Sequence, residues 1–178
     1  MTRRRAAVAM RLALVFLVAT ALFVVLVDWF RQAEASTVVR ILHALGVTRV
    51  SNAVAGTVFV FPAGDIPVRA VITESCTSLG ALVALVAITL FVIRAPIPRR
   101  LLALGVTSAV IVAGNLARIT ASVAVGLWAG SDSLVLFHDW VATGFGLAYT
   151  LVGLVLMLWM LLPASDAARP TARESVGD

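Results

Sequence analysis

The sequence predicts an all-α integral membrane protein of about four transmembrane helices, carrying a small extracytoplasmic amphipathic helix and a β-hairpin. Three observations carry that prediction. Of the 178 residues, 61% are hydrophobic, against about 45–50% in an ordinary soluble domain, and the mean hydropathy is +1.05. The apolar residues fall into long stretches nearly free of charge. The basic residues, 14 arginines and no lysine, cluster between those stretches, where a positive-inside pattern places them. The net charge of +5 is therefore a topological signal rather than a nucleic-acid footprint.

Four runs, residues 11–29, 76–93, 101–128 and 138–162, approach the length of about 20 residues that crossing a bilayer requires. The first begins after MTRRR and is followed by AEAS at residues 33–36, which imitates a secretory leader with its cleavage site. Its apolar stretch is long for such a leader, which usually holds about 7–15 apolar residues, so a retained helix is expected. Nine arginines flank one side: Arg3, Arg4, Arg5, Arg11, Arg94, Arg99, Arg100, Arg169 and Arg173. The other side carries Arg31, Arg40, Arg49 and Arg69, interleaved with Glu34, Asp65, Glu74 and Asp132. The first side is expected to be cytoplasmic, with both termini inside a cell membrane crossed several times.

Residues 30–73 form the one sizeable outer segment, too short to bury a core of its own. Val38, Ile41, Leu42 and Leu45 follow the spacing of an amphipathic helix, with Arg40 and His43 opposite and Gly46 ending it. Beyond it, β-branched residues and phenylalanines around PAGD (62–65) predict a hairpin of residues 56–61 and 66–73. Its free edge offers a place for an extended peptide to pair, and a hairpin used only as a lid would read the same. The tail, residues 163–178, is polar and is expected to be disordered and cytoplasmic. The whole chain, 1–178, reads as a single membrane domain.

The chemistry converges at the outer face. ESCTSLG (74–80) holds the one cysteine of the chain, Cys76, at the start of the second run, where a helix N-terminus favours a thiolate. Arg118 lies inside the third run, in GNLARIT, and an intramembrane arginine is costly enough to need a reason. Counted along helices of 1.5 Å rise from the inner surface, Cys76 and Arg118 both lie about 26 Å out, the alternative being a third helix shifted outward with Arg118 at mid-membrane. Arg99 and Arg100 as inner anchors favour the shallower placement, and His138 opens the fourth run on the same side. Asn115 shares a helical face with Arg118, placed to orient the guanidinium or to donate to a substrate carbonyl. Each residue also has a plainer reading: an inert small thiol, an arginine that snorkels or pairs with Glu74 or Asp139, and a histidine beside Asp139 and Trp140 that anchors the helix at the interface. Together they make a nucleophile, a cation and a base. The two histidines and one cysteine have no metal-ligand spacing, and no cofactor is expected.

Glu74 and Cys76 in ESCTSLG, Asn115 and Arg118 in GNLARI, and the later His138, in that order, resemble the exosortase/archaeosortase family over roughly residues 50–145. Two features depart from its pattern: Ser78 stands where many members have glycine, and the runs number about four where larger members have about eight. The resemblance implies a membrane cysteine peptidase or transpeptidase that cleaves C-terminal sorting signals of exported proteins. Cys76, Arg118 and His138 would be its catalytic residues, with Glu74, Ser78, Asn115 and Asp139 in support. The implied substrates carry a short motif, a transmembrane helix and a basic tail. A non-catalytic membrane scaffold, or a transporter subunit using Arg118 on an anion path, are the competing classes. Cys76→Ala would leave either of those working.

Overall fold

The computed structural model describes residues 2–52, 56–61, 67–91 and 95–162. The first helix, α1, spans Thr2–Ala44, about 65 Å at 1.5 Å per residue and so twice the thickness of a hydrocarbon core of about 30 Å. The first apolar run and the amphipathic stretch are thus one continuous helix. No glycine or proline lies between Trp29 and Val38, so nothing interrupts the hydrogen-bond ladder. Its first half exposes Leu14, Phe16, Val24 and Val25, as a lipid-facing helix does. Its second half buries Ala35, Val38, Val39 and Leu42. Gly46, at φ +82°, ends α1: Val47 N–H reaches Leu42 O at 2.9 Å and Gly46 N–H reaches His43 O at 3.0 Å, the paired bonds of a Schellman cap. Leu45, in the predicted apolar stripe, lies at this cap and is exposed.

Three short strands follow, β1 Val50–Asn52, β2 Thr57–Val60 and β3 Val68–Val71, in an antiparallel sheet of order β1-β2-β3. The predicted hairpin is β2 with β3; β1 is an addition, too short to show a two-residue period. The PAGD turn lies outside the described residues. The sheet is fastened to α1 by polar contacts: Arg31 Nε donates to Ile72 O at 2.6 Å and Gly56 N–H to Gln32 Oε1 at 3.0 Å. His43 Nε2 lies 3.0 Å from Val50 O. Val58 and Val60 enter a core with Val38, Leu42, Cys76, Ile119, Val123 and Leu127. A hairpin is marginal alone, and this core supplies its support.

The second run becomes α2, Leu79–Phe91, a helix of about 20 Å, shorter than a full crossing. Residues 76–78 form the turn before it instead of its first turn. α3 spans Ile97–Leu136 and breaks at Gly130, φ 82° and ψ 179°, a backbone region essentially confined to glycine. There the chain reverses, passes through a π-helical segment, Phe137–Ala142, and continues as α4, Thr143–Leu161. Three helical stretches, Ala6–Ala44, Ile97–Gly130 and Asp132–Leu161, are long and apolar enough to cross a membrane. α3 and α4 pack closely because glycines admit the partner: a Cβ on Gly114 would lie 2.7 Å from Tyr149 Cγ, and one on Gly153 2.9 Å from Ile111 Cγ1. At the far end Arg99 donates to Met160 O and Leu162 O at 2.6 and 2.9 Å, capping the last carbonyls of α4.

Candidate functional site

The turn at residues 73–78 carries the thiol. Cys76 N–H bonds Thr73 O at 3.0 Å, and the Thr73 hydroxyl lies 3.0 Å from Cys76 Sγ and 2.9 Å from Ser75 Oγ. The α2 helix starts immediately after, with Leu82 N–H on Ser78 O at 3.1 Å. Cys76 is only 4% exposed.

Two side chains from other elements reach the sulfur. His138 Nε2 lies 3.3 Å from Sγ, brought there by the π-helical segment, whose widened turn shifts the register of the helix ahead of α4. Arg118 Nη2 lies 3.7 Å from Sγ. Its Nε is buried without a partner, and the ion pair formed among the described residues is that of Arg31 with Asp28. Neither Glu74 nor Asp139 pairs with Arg118. Both are exposed and line the mouth of a cleft beside the thiol. A guanidinium without a carboxylate, beside a sulfur, leaves its charge available to an anion on sulfur or on a bound carbonyl.

Behind the thiol lies a buried polar network centred on Glu34 of α1, 3% exposed. Its Oε1 accepts from Ser78 N–H at 3.0 Å, Ser78 Oγ at 2.7 Å and Asn115 Nδ2 at 2.9 Å. A carboxylate at the N-terminus of α2 is also well placed against the helix dipole. Asn115, fully buried, donates to Cys76 O at 3.0 Å and accepts from Tyr149 OH at 2.9 Å. Its amide is thus committed to the thiol turn, rather than to the guanidinium or a substrate. Ser78, the departure from the glycine of the motif it resembles, donates its hydroxyl to Glu34.

The sequence reading missed Glu34, Thr73 and Tyr149. Glu34 sat among four outer acids, although stepping back from Leu42 and Val38 by fours lands on it. An acid in the apolar stripe of a helix is a buried carboxylate in need of donors. Tyr149 is the one tyrosine of the chain, and a tyrosine inside a span needs a partner for its hydroxyl.

Cys76, Arg118 and His138 line two clefts that meet at the sulfur. The narrow one, about 140 Å³, lies between the β3 side of the sheet (Val58, Ala70, Ile72) and Ile119, Val123 and Leu134. The wide one, about 820 Å³, runs between Phe23 of α1, Ala81 of α2 and Gly146, Leu147 and Thr150 of α4. The arrangement offers a nucleophile, a proton carrier and a cation at the junction of two binding grooves.

No curated protein and no solved structure matches the chain. The family model for transmembrane exosortases matches residues 2–161, nearly the whole described molecule including α1, which the sequence resemblance did not reach. On that match, this integral membrane protein belongs to the transmembrane exosortase family.

Proposed function

We propose that the protein is a membrane-embedded cysteine peptidase or transpeptidase that cleaves a C-terminal sorting signal of exported proteins at the outer membrane face, with both its termini in the cytoplasm. The observation that carries the reading is the placement of Cys76 Sγ 3.3 Å from His138 Nε2 and 3.7 Å from Arg118 Nη2, where two clefts join. In the proposed reaction the Cys76 proton passes to His138 and the sulfur attacks the scissile carbonyl carbon. The carbonyl electron pair moves to oxygen, and Arg118 stabilises the resulting oxyanion. As that pair returns, the C–N bond breaks, His138 returns its proton to the leaving amine, and a thioester to Cys76 remains. Water or an acceptor amine then attacks the thioester, releasing the sulfur and the product. The Glu34–Ser78–Asn115 network holds the turn that carries the nucleophile. The substrate's membrane helix lies in the wide cleft among α1, α2 and α4, and its motif lies against the sheet.

The test is a comparison of exported-protein C-termini, by mass spectrometry, in cells making the wild type or Cys76→Ala, Arg118→Ala or His138→Ala at matched levels. Each variant is expected to leave proteins with a C-terminal helix and basic tail uncut. Identical C-termini in wild-type and Cys76→Ala cells would exclude a thiol peptidase.

A further inference from the structure

The β3 strand is the outer edge of the sheet, and its register shows which of its backbone groups are unused. Ile72 N–H bonds Gly56 O at 2.8 Å, which makes that opposed pair a hydrogen-bonded one. Such pairs alternate along an antiparallel ladder, so Val58 with Ala70 and Val60 with Val68 are the next. Arg69 and Val71 therefore aim their N–H and C=O groups away from β2. Among the described residues no strand covers them, and Val71 is 44% exposed. An uncovered edge is a template for another chain. This one leads, within five residues, from Val71 to the thiol. The narrow cleft is lined by this same segment, Arg69, Ala70, Val71 and Ile72, together with Ile119, Val123 and Cys76 itself.

Resting on the thiol-peptidase reading above, we propose that the segment on the acyl side of the scissile bond binds as an added strand along the outer edge of β3 and parallel to it. Alternate apolar side chains of that segment enter the narrow cleft. The direction follows from the chemistry. The acyl segment must present its C-terminal carbonyl to Cys76, and β3 also runs toward Cys76, so the two chains point the same way. The leaving segment enters the wide cleft among α1, α2 and α4, about 820 Å³ in volume, which no strand lines among the described residues. In parallel pairing one residue bonds the two neighbours of the residue opposite it. Arg69 and Val71 thus engage alternate substrate amides and leave the intervening ones free.

Peptidyl chloromethyl ketones probe the acyl side alone, because the thiolate displaces chloride from the methylene carbon and no leaving segment is present. The probe is acetyl-Ala-Ala-Val-Ala-Ala chloromethyl ketone, with each backbone amide N-methylated in turn. The readout is the second-order rate of Cys76 alkylation on the full-length protein in detergent, by intact mass. The pentapeptide is expected to react faster than acetyl-Ala chloromethyl ketone. N-methylation should slow it in alternation, by about tenfold at amides that bond the edge and less than about twofold between them. Val71→Pro removes an N–H that the β2–β3 ladder does not use, a substitution that edge strands tolerate. It is expected to lower the pentapeptide rate relative to that of iodoacetamide. A flat N-methylation profile, or an unchanged ratio in Val71→Pro, overturns strand pairing while Cys76 still alkylates. If neither iodoacetamide nor any ketone labels Cys76 in the folded protein, the thiol-peptidase reading falls, and the strand proposal with it.

Discussion

Glu34→Ala tests whether the site is held from behind by one carboxylate. The substitution leaves three donors, Ser78 N–H, Ser78 Oγ and Asn115 Nδ2, facing a void where Oε1 now sits 2.7–3.0 Å away. Ser78 is 2% and Asn115 0% exposed, so water does not readily replace the lost acceptor. A buried donor left unsatisfied costs about 1–3 kcal/mol. Because the Ser78 hydroxyl can rotate and Asn115 keeps its bond to Cys76 O, the total is about 3–5 kcal/mol. For a chain of this size that is a fall of about 10 °C or more in melting temperature. The assay is a thermal melt of the purified protein in detergent followed by intrinsic fluorescence, for which the chain's four tryptophans serve. Glu34→Gln keeps an oxygen acceptor and the side-chain volume, so it should recover much of the loss. A Glu34→Ala melt within about 2 °C of the wild type would mean that the network contributes about 1 kcal/mol or less, and the reasoning would fail.

Other outcomes follow from particular contacts. Arg118→Gln removes a charge 3.7 Å from the sulfur, where the Coulomb attraction at an effective dielectric of about 20 is about 4 kcal/mol. With about half retained against solvent screening, and with the less stabilised thiolate intrinsically more nucleophilic, iodoacetamide should label Cys76 about 6-fold more slowly at pH 7; a rate equal to that of the wild type counts against Arg118 as the stabilising cation. Tyr149→Phe deletes the 2.9 Å bond to Asn115 Oδ1 and should cost about 1 kcal/mol, visible in the same melt as a drop of about 2–4 °C. Gly114→Ala and Gly105→Ala should move that melt in opposite directions. The first drives a Cβ to 2.7 Å from the Tyr149 ring, an overpacking cost of about 1–3 kcal/mol. The second meets nothing within 4 Å and gains up to about 1 kcal/mol of helix propensity. Equal melting temperatures would show that α3 and α4 are not packed at the distance described.

Much of the molecule was legible in the chain before it folded. Long apolar runs declare membrane helices because unpaired backbone polar groups are intolerable in hydrocarbon, and that rule needs no tertiary information. The strands β2 and β3 were legible from β-branched residues around a turn, and Cys76, Arg118 and His138 from being the wrong chemistry for their surroundings. Tertiary structure decided the rest. Whether α1 stops at the membrane or continues, and whether its stripe meets lipid or a sheet, depends on a partner surface that local periodicity cannot show. Asn115 stands beside Arg118 on one helix, yet its amide serves Cys76 and Glu34, because a buried amide must satisfy every donor and acceptor it has and those partners come from α1 and the thiol turn. Glu34 is 42 positions from Cys76 in sequence. Only packing α1 against the start of α2 makes an ordinary-looking acid the support of the turn that carries Cys76. Residue types chose the chemistry, and the donors that Glu34 Oε1 collects from Ser78 and Asn115 chose which residues hold it in place.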